Sequence, residues 1–387
     1  MARAQPLPDS VETATVEMAS DAASVDCPAV RLDQVIPTLA SRDAIGVHTV
    51  ALRDALRRAG TDSDIFYGTC TPDMADQGRP VGELGGTSPD RWLLYQLSIG
   101  SPVFDTLMAR PEPKIVNYHN ITPAALLASW EPEVARQVEL GRRQLAALAT
   151  ESTMAVCDSA FNETELLAAG YRHTAVVPLL IDVTAVAPTP DPAVAAQLRR
   201  AKHDGGADLL FVGKIAPHKA PHDLVLMLAA LHRAGSPRAR LHLVGSPLGA
   251  TYARALAQLI DRLHLGDAIV VTGSVSPAAL EAYYQAADVF VCASDHEGFC
   301  VPLVEAMGHR LPVVAYGAGA VPETVGHGGL VLFTKRPAVF ATAVHRVLSD
   351  LELRRRLVDA AGRRVDELGM ARSATRFVEI LQRTMDS

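Results

Sequence analysis

From Arg31 onward the chain alternates short apolar runs with stretches whose apolar residues recur every three or four positions. "LDQVIPTL" predicts a strand, and "GVHTVALRDALRRAG" an amphipathic helix closed by Gly60. "DSDIFYG" and "KIVNYHN" predict strands, and "EVARQVELGRRQLAALATES" a long helix. "MAVCDS" (strand), "AFNETELLAAG" (helix) and "TAVVPLLI" (strand) follow. The stretch between residues 69 and 113 carries no assignment. Alternation of this kind predicts a parallel sheet covered by helices on both faces.

The rhythm breaks at "DVTAVAPTPDPAV", residues 182–194, which reads as a linker because three prolines crowd together there. A second series then begins. "DLLFVGK", "ARLHLVG", "AIVVTGS" and "DVFVCAS" predict strands, separated by helices over "APHDLVLMLAALHRAG", "TYARALAQLIDRLHLG" and "SPAALEAYYQAA". "LPVVAY" and "GGLVLF" close the second sheet. The expected organisation is a mobile tail over 1–30, one α/β domain over 31–185, a second over 186–370, and a last helix over 371–387. Two such domains place a cleft between the carboxyl ends of their strands, where ligands of parallel sheets bind.

Composition narrows the classes. A chain of 387 residues exceeds what one core normally serves. A net charge of -7 argues against nucleic acid as a partner. Arg53, Arg57 and Arg58, or Arg142 with Arg143, are read as solvated helix faces, with peripheral membrane contact as the alternative. No apolar run approaches a membrane span. The first 28 residues lack the apolar core of a signal peptide, so the expected location is the cytoplasm. The cysteines, Cys27, Cys70, Cys157, Cys292 and Cys300, are scattered without a CxxC pair, which argues against a disulfide framework and a zinc site.

Candidate chemistry gathers at strand ends. In "HEGFCVPLVEAM" two carboxylates, Glu297 and Glu305, punctuate an oily segment. A helix starting near Phe299 would offer free N–H groups and a positive dipole end to an anion. Gly298 would allow close approach. Glu305, at the margin of the apolar stripe, needs a partner such as paired ribose hydroxyls; otherwise Glu305 is an exposed helix residue and Glu297 a cap. "FVGKIAPHKA" sets Gly213, Lys214 and Lys219 after a strand, either a diphosphate clamp or solvated lysines. Gly46, between the first strand and helix, suits helix packing or a phosphate turn, and His48 reads as a polar residue at the helix start. His119 ends a predicted strand in "NYHNITP", as a structural or a cleft histidine. Asp62-Ser63-Asp64 has the DxD form of a metal site but lies where a capping turn is expected. There is no GxGxxG after the first strand and no P-loop.

Together "FVGKIAPHKA" and "VTGSVSPAALEAYYQAADVFVCASDHEGFCVPLVEAMGHRLPVVAYGAGAVPETVG" closely resemble the donor domain of family 4 retaining glycosyltransferases. The likeness is strong over residues 208–332 and continues more weakly over 31–182. It implies the GT-B fold: two facing Rossmann-like domains with parallel sheets, the first binding acceptor and the second the nucleotide-sugar donor. By resemblance Glu305 would hold the ribose, Glu297 would contact the donor sugar, and the amides around Phe299, Cys300 and Val301 would receive the diphosphate. Lys219 matches the family's phosphate lysine, whereas Lys214 stands where arginine is usual. His119 falls at a cleft histidine that touches the transferred sugar. Gly46 matches half of a glycine-pair loop, and Val275 would frame the base. The last helix would cross back to the first domain.

The activity implied is metal-independent, retaining transfer of a hexose, mannosyl or glucosyl, from a UDP- or GDP-linked donor. No cofactor is implied. The acceptor hydroxyl would belong to a glycan, a glycolipid or a small metabolite, and the leaving phosphate oxygen would take its proton. A non-catalytic nucleotide-sugar binder and a GT-B epimerase are the alternatives on the same fold. A phosphorylase would need a lysine-anchored pyridoxal phosphate, for which no local signal exists.

Overall fold

The computed structural model describes residues 30–183, 187–202 and 206–386. The expected tail lies almost wholly outside them, as do Cys27 and part of the expected linker. The first half contains β1 (Arg31–Leu39), α1 (Ala44–Arg58), β2 (Ile65–Cys70), β3 (Arg79–Pro80), β4 (Arg91–Leu97), α2 (Val103–Met108) and β5 (Lys114–Tyr118). It continues through α3 (Pro132–Leu148), β6 (Ser152–Cys157), α4 (Ala160–Ala168) and β7 (Thr174–Val176). These strands form a seven-stranded parallel sheet in the order β3-β2-β1-β4-β5-β6-β7.

The second half runs α5 (Pro192–Ala201), β8 (Asp208–Val212), α6 (Pro221–Arg233), β9 (Arg240–Val244), α7 (Ala250–Arg262), β10 (Ile269–Gly273) and α8 (Pro277–Ala286). Then come β11 (Val289–Cys292), α9 (Val301–Gly308), β12 (Val313–Tyr316), α10 (Val321–Val325), β13 (Gly329–Leu332), α11 (Pro337–Ser349), α12 (Leu351–Glu367) and α13 (Met370–Met385). Its six parallel strands are ordered β10-β9-β8-β11-β12-β13.

Local chemistry explains many boundaries. Asp43, Ser159, Asp191, Ser276 and Asp350 cap α1, α4, α5, α8 and α12 with side-chain oxygens. Proline enters α3, α5, α6, α8, α9 and α11 in their first turns, where no intrahelical N–H bond is lost. Strand β1 is buried along nearly its whole length, as a central strand covered on both faces must be.

Several sequence expectations are corrected. The unassigned stretch contains β4, which pairs with β1 and β5 in the middle of its sheet. Residues 192–194 belong to the first turn of α5, not to a linker. The "TAVVPLLI" strand is regular only over Thr174–Val176, and α9 starts at Val301 rather than near Phe299. Asp64 of the DxD sequence binds Arg31 at 2.5 Å, Arg57 at 2.5 Å, and Arg79, so it anchors an ion-pair network rather than a capping turn. Arg57, Arg58 and Arg143 are exposed, as solvated helix faces would have them, while Arg53 donates to the Gln77 carbonyl, Arg57 to the Ser63 carbonyl, and Arg142 reaches Glu165 at 2.9 Å.

Helix α13 packs Phe377 and Leu381 against Leu32, Leu52 and Leu56, returning the chain to the first half. In both sheets the strand order reverses beside the first strand of the half, between β1 and β4 and between β8 and β11. Such switch points leave a crevice at the carboxyl ends of the strands. Here the two crevices face each other.

Candidate active site

On the second half the site is built from two strand-to-helix connections. After β8 the chain turns at Gly213 (φ 151°), passes the exposed Lys214, and forms a short 3-10 turn over Pro217–Lys219. After β11 it runs through Ala293 to Cys300, where φ of 71° turns it into α9. Carbonyls of this loop are tied down. Ala320 donates to Glu297 O at 2.9 Å, Ser159 Oγ to Gly298 O at 2.7 Å, and Thr324 Oγ1 to Phe299 O at 2.6 Å. The N–H groups from Gly298 to Val301 meet no acceptor among the described residues. Fixed carbonyls and unclaimed amides at the mouth of a helix form an anion cradle.

Lys219 Nζ bonds Glu297 Oε2 at 2.7 Å. Burial would raise the Glu297 carboxyl, but the Lys219 charge and bond, with help from Ser294, hold it below its ordinary value. Burial likewise opposes the Lys219 charge, and Glu297 more than restores it. Next to this pair His218 is pushed down to about 3 by burial and by the Lys219 charge, so it is neutral at physiological pH. Glu305 lies deeper, its Oε2 accepting from Tyr284 at 2.7 Å while burial raises its pKa. The partner expected for this carboxylate is therefore in part a tyrosine hydroxyl of the protein.

Across the cleft His119 follows β5. Its Nδ1 lies 3.1 Å from Asp158 and its Nε2 2.6 Å from Gln96 Oε1, leaving the imidazole only 1% exposed. Gln96 donates in turn to Gln34 at 2.7 Å, and Gln34 to Thr49 O at 3.0 Å. This direction of donors makes Gln96 Oε1 an acceptor and places a proton on His119 Nε2. Burial raises Asp158, against the pull of His119. His48 is wholly buried beside this chain, accepting from Leu180 N at 3.0 Å through Nδ1; burial keeps it neutral. It is a core residue, not the polar helix-start residue expected.

The two halves touch around the site. His296 Nε2 donates to Asn120 Oδ1 at 2.6 Å, and Arg42 Nη1 to Ser274 Oγ at 2.7 Å. Glu323 accepts from Ala160 N, at the start of α4, at 2.9 Å. A cavity of about 250 Å³ lies between, lined by Lys219, Glu297, Gly298, Phe299, Cys300 and Val301 on one side and by Asp43, His119, Asn120, Thr122 and Asp158 on the other.

Seven expected site residues thus meet at one cavity. Gly46, Gly213, Lys214, Val275 and Glu305 lie outside its lining. A Cβ on Gly46 would stand 2.2 Å from the Ala40 carbonyl, so this glycine serves close approach of α1 to the preceding turn. Asp43, Asn120, Thr122, Asp158 and His296 were missed. Asp158 directly follows β6 and Asn120 stands two residues after β5, so attention to polar residues after every strand would have found these two. Cys292 and Cys300, eight positions apart, also come together in space.

The fold is that of the GT-B glycosyltransferases. Sucrose-phosphate synthase from Thermosynechococcus elongatus superposes with a TM-score of 0.70 at 19% identity, over 91% of this chain and 98% of that one. Anabaena HepE, solved with UDP-glucose, gives 0.71 at 17% identity, over 91% and 99%. The family described as glycosyl transferases group 1 matches residues 197–364. D-inositol 3-phosphate glycosyltransferase of Geodermatophilus obscurus is 33% identical over 73% of this chain and 60% of its own length. The namesake from Kineococcus radiotolerans is 30% identical over 79% of this chain and 69% of its own. This chain therefore spans less than two thirds of the first relative. It belongs to the group 1 glycosyl transferases. Among the described residues no helix is long and apolar enough to cross a membrane.

Proposed function

We propose that the protein transfers a hexosyl group, mannosyl or glucosyl, from a UDP- or GDP-linked donor to an acceptor hydroxyl, with retention at the anomeric carbon and without a metal ion. The observation that carries this reading is the Lys219–Glu297 pair at the mouth of the unclaimed amides of Gly298–Val301, facing His119 and Asn120 across the cleft. In the donor complex the diphosphate takes Lys219 and the amides, with Lys214 adding charge from the rim. Glu297 then turns to the sugar hydroxyls. Glu305 offers its second oxygen to the ribose while Tyr284 holds the first. These charge-assisted bonds stabilise the departing diphosphate.

His119 acts as a positioning residue. Its ring is locked by Asp158 and Gln96, and what it fixes is the backbone turn into Asn120 (φ 74°) at the sugar end of the cavity. The acceptor enters from the first half, and its hydroxyl approaches on the face the diphosphate leaves. A leaving phosphate oxygen takes the proton, so no protein base is required. The inositol phosphate named for the curated relatives makes a small phosphorylated polyol the first acceptor to try beside glycans and glycolipids.

A thermal-shift panel of UDP, GDP, ADP and TDP, with chelator and then with Mg²⁺, tests the donor half of this reading. Product analysis with the matching UDP- or GDP-hexose and inositol phosphate tests the rest. One nucleotide that stabilises equally in chelator supports the scheme. Absence of any shift, together with absence of turnover, overturns it in favour of a non-catalytic protein on this fold.

A further inference from the structure

Strand β11 ends at Cys292, and the loop that follows brings Cys300 back beside it. Cys292 Sγ, Cys300 Sγ and a Glu297 carboxylate oxygen all lie within 4.8 Å of one another. Both thiols are free. Cys292 is buried with its sulfur 3.4 Å from Ser294 Oγ, whereas Cys300 and Glu297 line the cavity. From these positions we infer that Cys292, Cys300 and Glu297 form a binding site for a thiophilic divalent cation of the Zn²⁺ or Cd²⁺ class, opening on the cavity.

The donor set suits such an ion: thiolates select soft or borderline cations, with a carboxylate as a common third ligand. Sulfurs bound to one tetrahedral zinc stand about 3.8 Å apart, from Zn–S bonds of about 2.3 Å, so the side chains need close by about 1 Å at most. Charge also closes. Two thiolates and one carboxylate carry three negative charges, and the cation with Lys219 carries three positive. Binding releases the two thiol protons to solvent while no group changes oxidation state. Glu297 and Cys300 line the cavity, so a fourth ligand would come from that side.

The same ion draws on the carboxylate that pairs with Lys219 and on Cys300 beside the amide cradle. It therefore competes with the donor, acting as an inhibitor and not as a cofactor. Only this competition rests on the proposed function; occupancy of the site does not.

Cadmium titration of the full chain under reducing conditions reads occupancy directly, through the thiolate-to-cadmium absorption band in the far ultraviolet. The expected result is one cadmium per chain, a band of two-thiolate intensity and about two protons released. Cys292→Ala and Cys300→Ser should each halve the band and weaken binding at least tenfold. Either variant suffices if the other does not fold. A band of one-thiolate intensity, or one unchanged in the variants, overturns the site. A wild-type band that a saturating stabilising nucleotide leaves unchanged overturns the competition alone.

Discussion

Replacing Lys219 by Met removes the cation from a nearly buried carboxylate at the cavity wall. Glu297 is 6% exposed and its partner stands 2.7 Å away, while the Lys219 side chain keeps 25% exposure. Breaking a buried pair costs about 3–5 kcal/mol, and the partly solvated lysine places this one near 3 kcal/mol. For a domain of this size that corresponds to a Tm lower by roughly 6–12 °C. The pH dependence has a definite sign. In the native protein the Glu297 carboxyl is depressed, so its contribution is present above its unfolded value and lost as pH falls through the folded one. In Lys219→Met the main opposition to burial is gone, with only Ser294 and His218 left against it, so the folded value rises and the variant's deficit is largest near neutral pH and shrinks as the carboxyl protonates. Calorimetry or urea unfolding at pH 7.5 and pH 5 measures both. Adding Glu297→Gln to Lys219→Met should recover most of the loss. Nucleotide affinity should fall roughly 10- to 150-fold, the equivalent of about 1.5–3 kcal/mol for a lost charged hydrogen bond. A Tm unchanged within about 1 °C, an equal deficit at both pH values or no recovery in the double variant would show that Lys219 does not neutralise a buried Glu297.

Other substitutions separate the parts of the site. Gly298→Ala puts a methyl group 2.3 Å from Asn120 Cβ across the cleft, so turnover should drop at least about tenfold while nucleotide affinity changes little; equal losses in both would argue against a closure effect. Gly46→Ala collides with the Ala40 carbonyl at 2.2 Å and should lower stability by about 1–3 kcal/mol in urea unfolding, marking the glycine as a packing residue and not a phosphate contact. Glu305→Ala should raise nucleotide Kd while leaving kcat within a factor of about three, since it lies behind the reacting centre; a fall in kcat alone would contradict that placement. Asp158→Asn should depress turnover by freeing the His119 ring, with nucleotide affinity near native by calorimetry. Affinity lost with turnover would assign Asp158 to general stability.

The alternating apolar pattern and the motif around Glu297 were enough to read two α/β halves and to name residues that meet at the cavity. Period-2 and period-3.6 patterns report burial locally, and phosphate recognition by strand ends and helix starts uses contiguous residues. The central strand β4 was not legible in "RWLLYQL", because a short apolar run between turn-rich segments reads equally as strand or buried helix until its neighbours are known. Lys219 and Glu297 could be named from the chain, but not their pairing.

Which residue lies opposite which depends on how the two halves pack. The capped helices, proline-started turns and strand rhythm are properties of neighbouring residues and are therefore encoded locally in the chain. The inward-locked ring of His119, the clasp of Asn120 by His296, and the meeting of Cys292, Cys300 and Glu297 join residues that sequence separation or backbone turns conceal. Gly46 and Gly298 look alike in the chain, yet one accommodates a backbone carbonyl of its own half and the other a side chain from the facing half. Packing sets those distances, and no local preference encodes them.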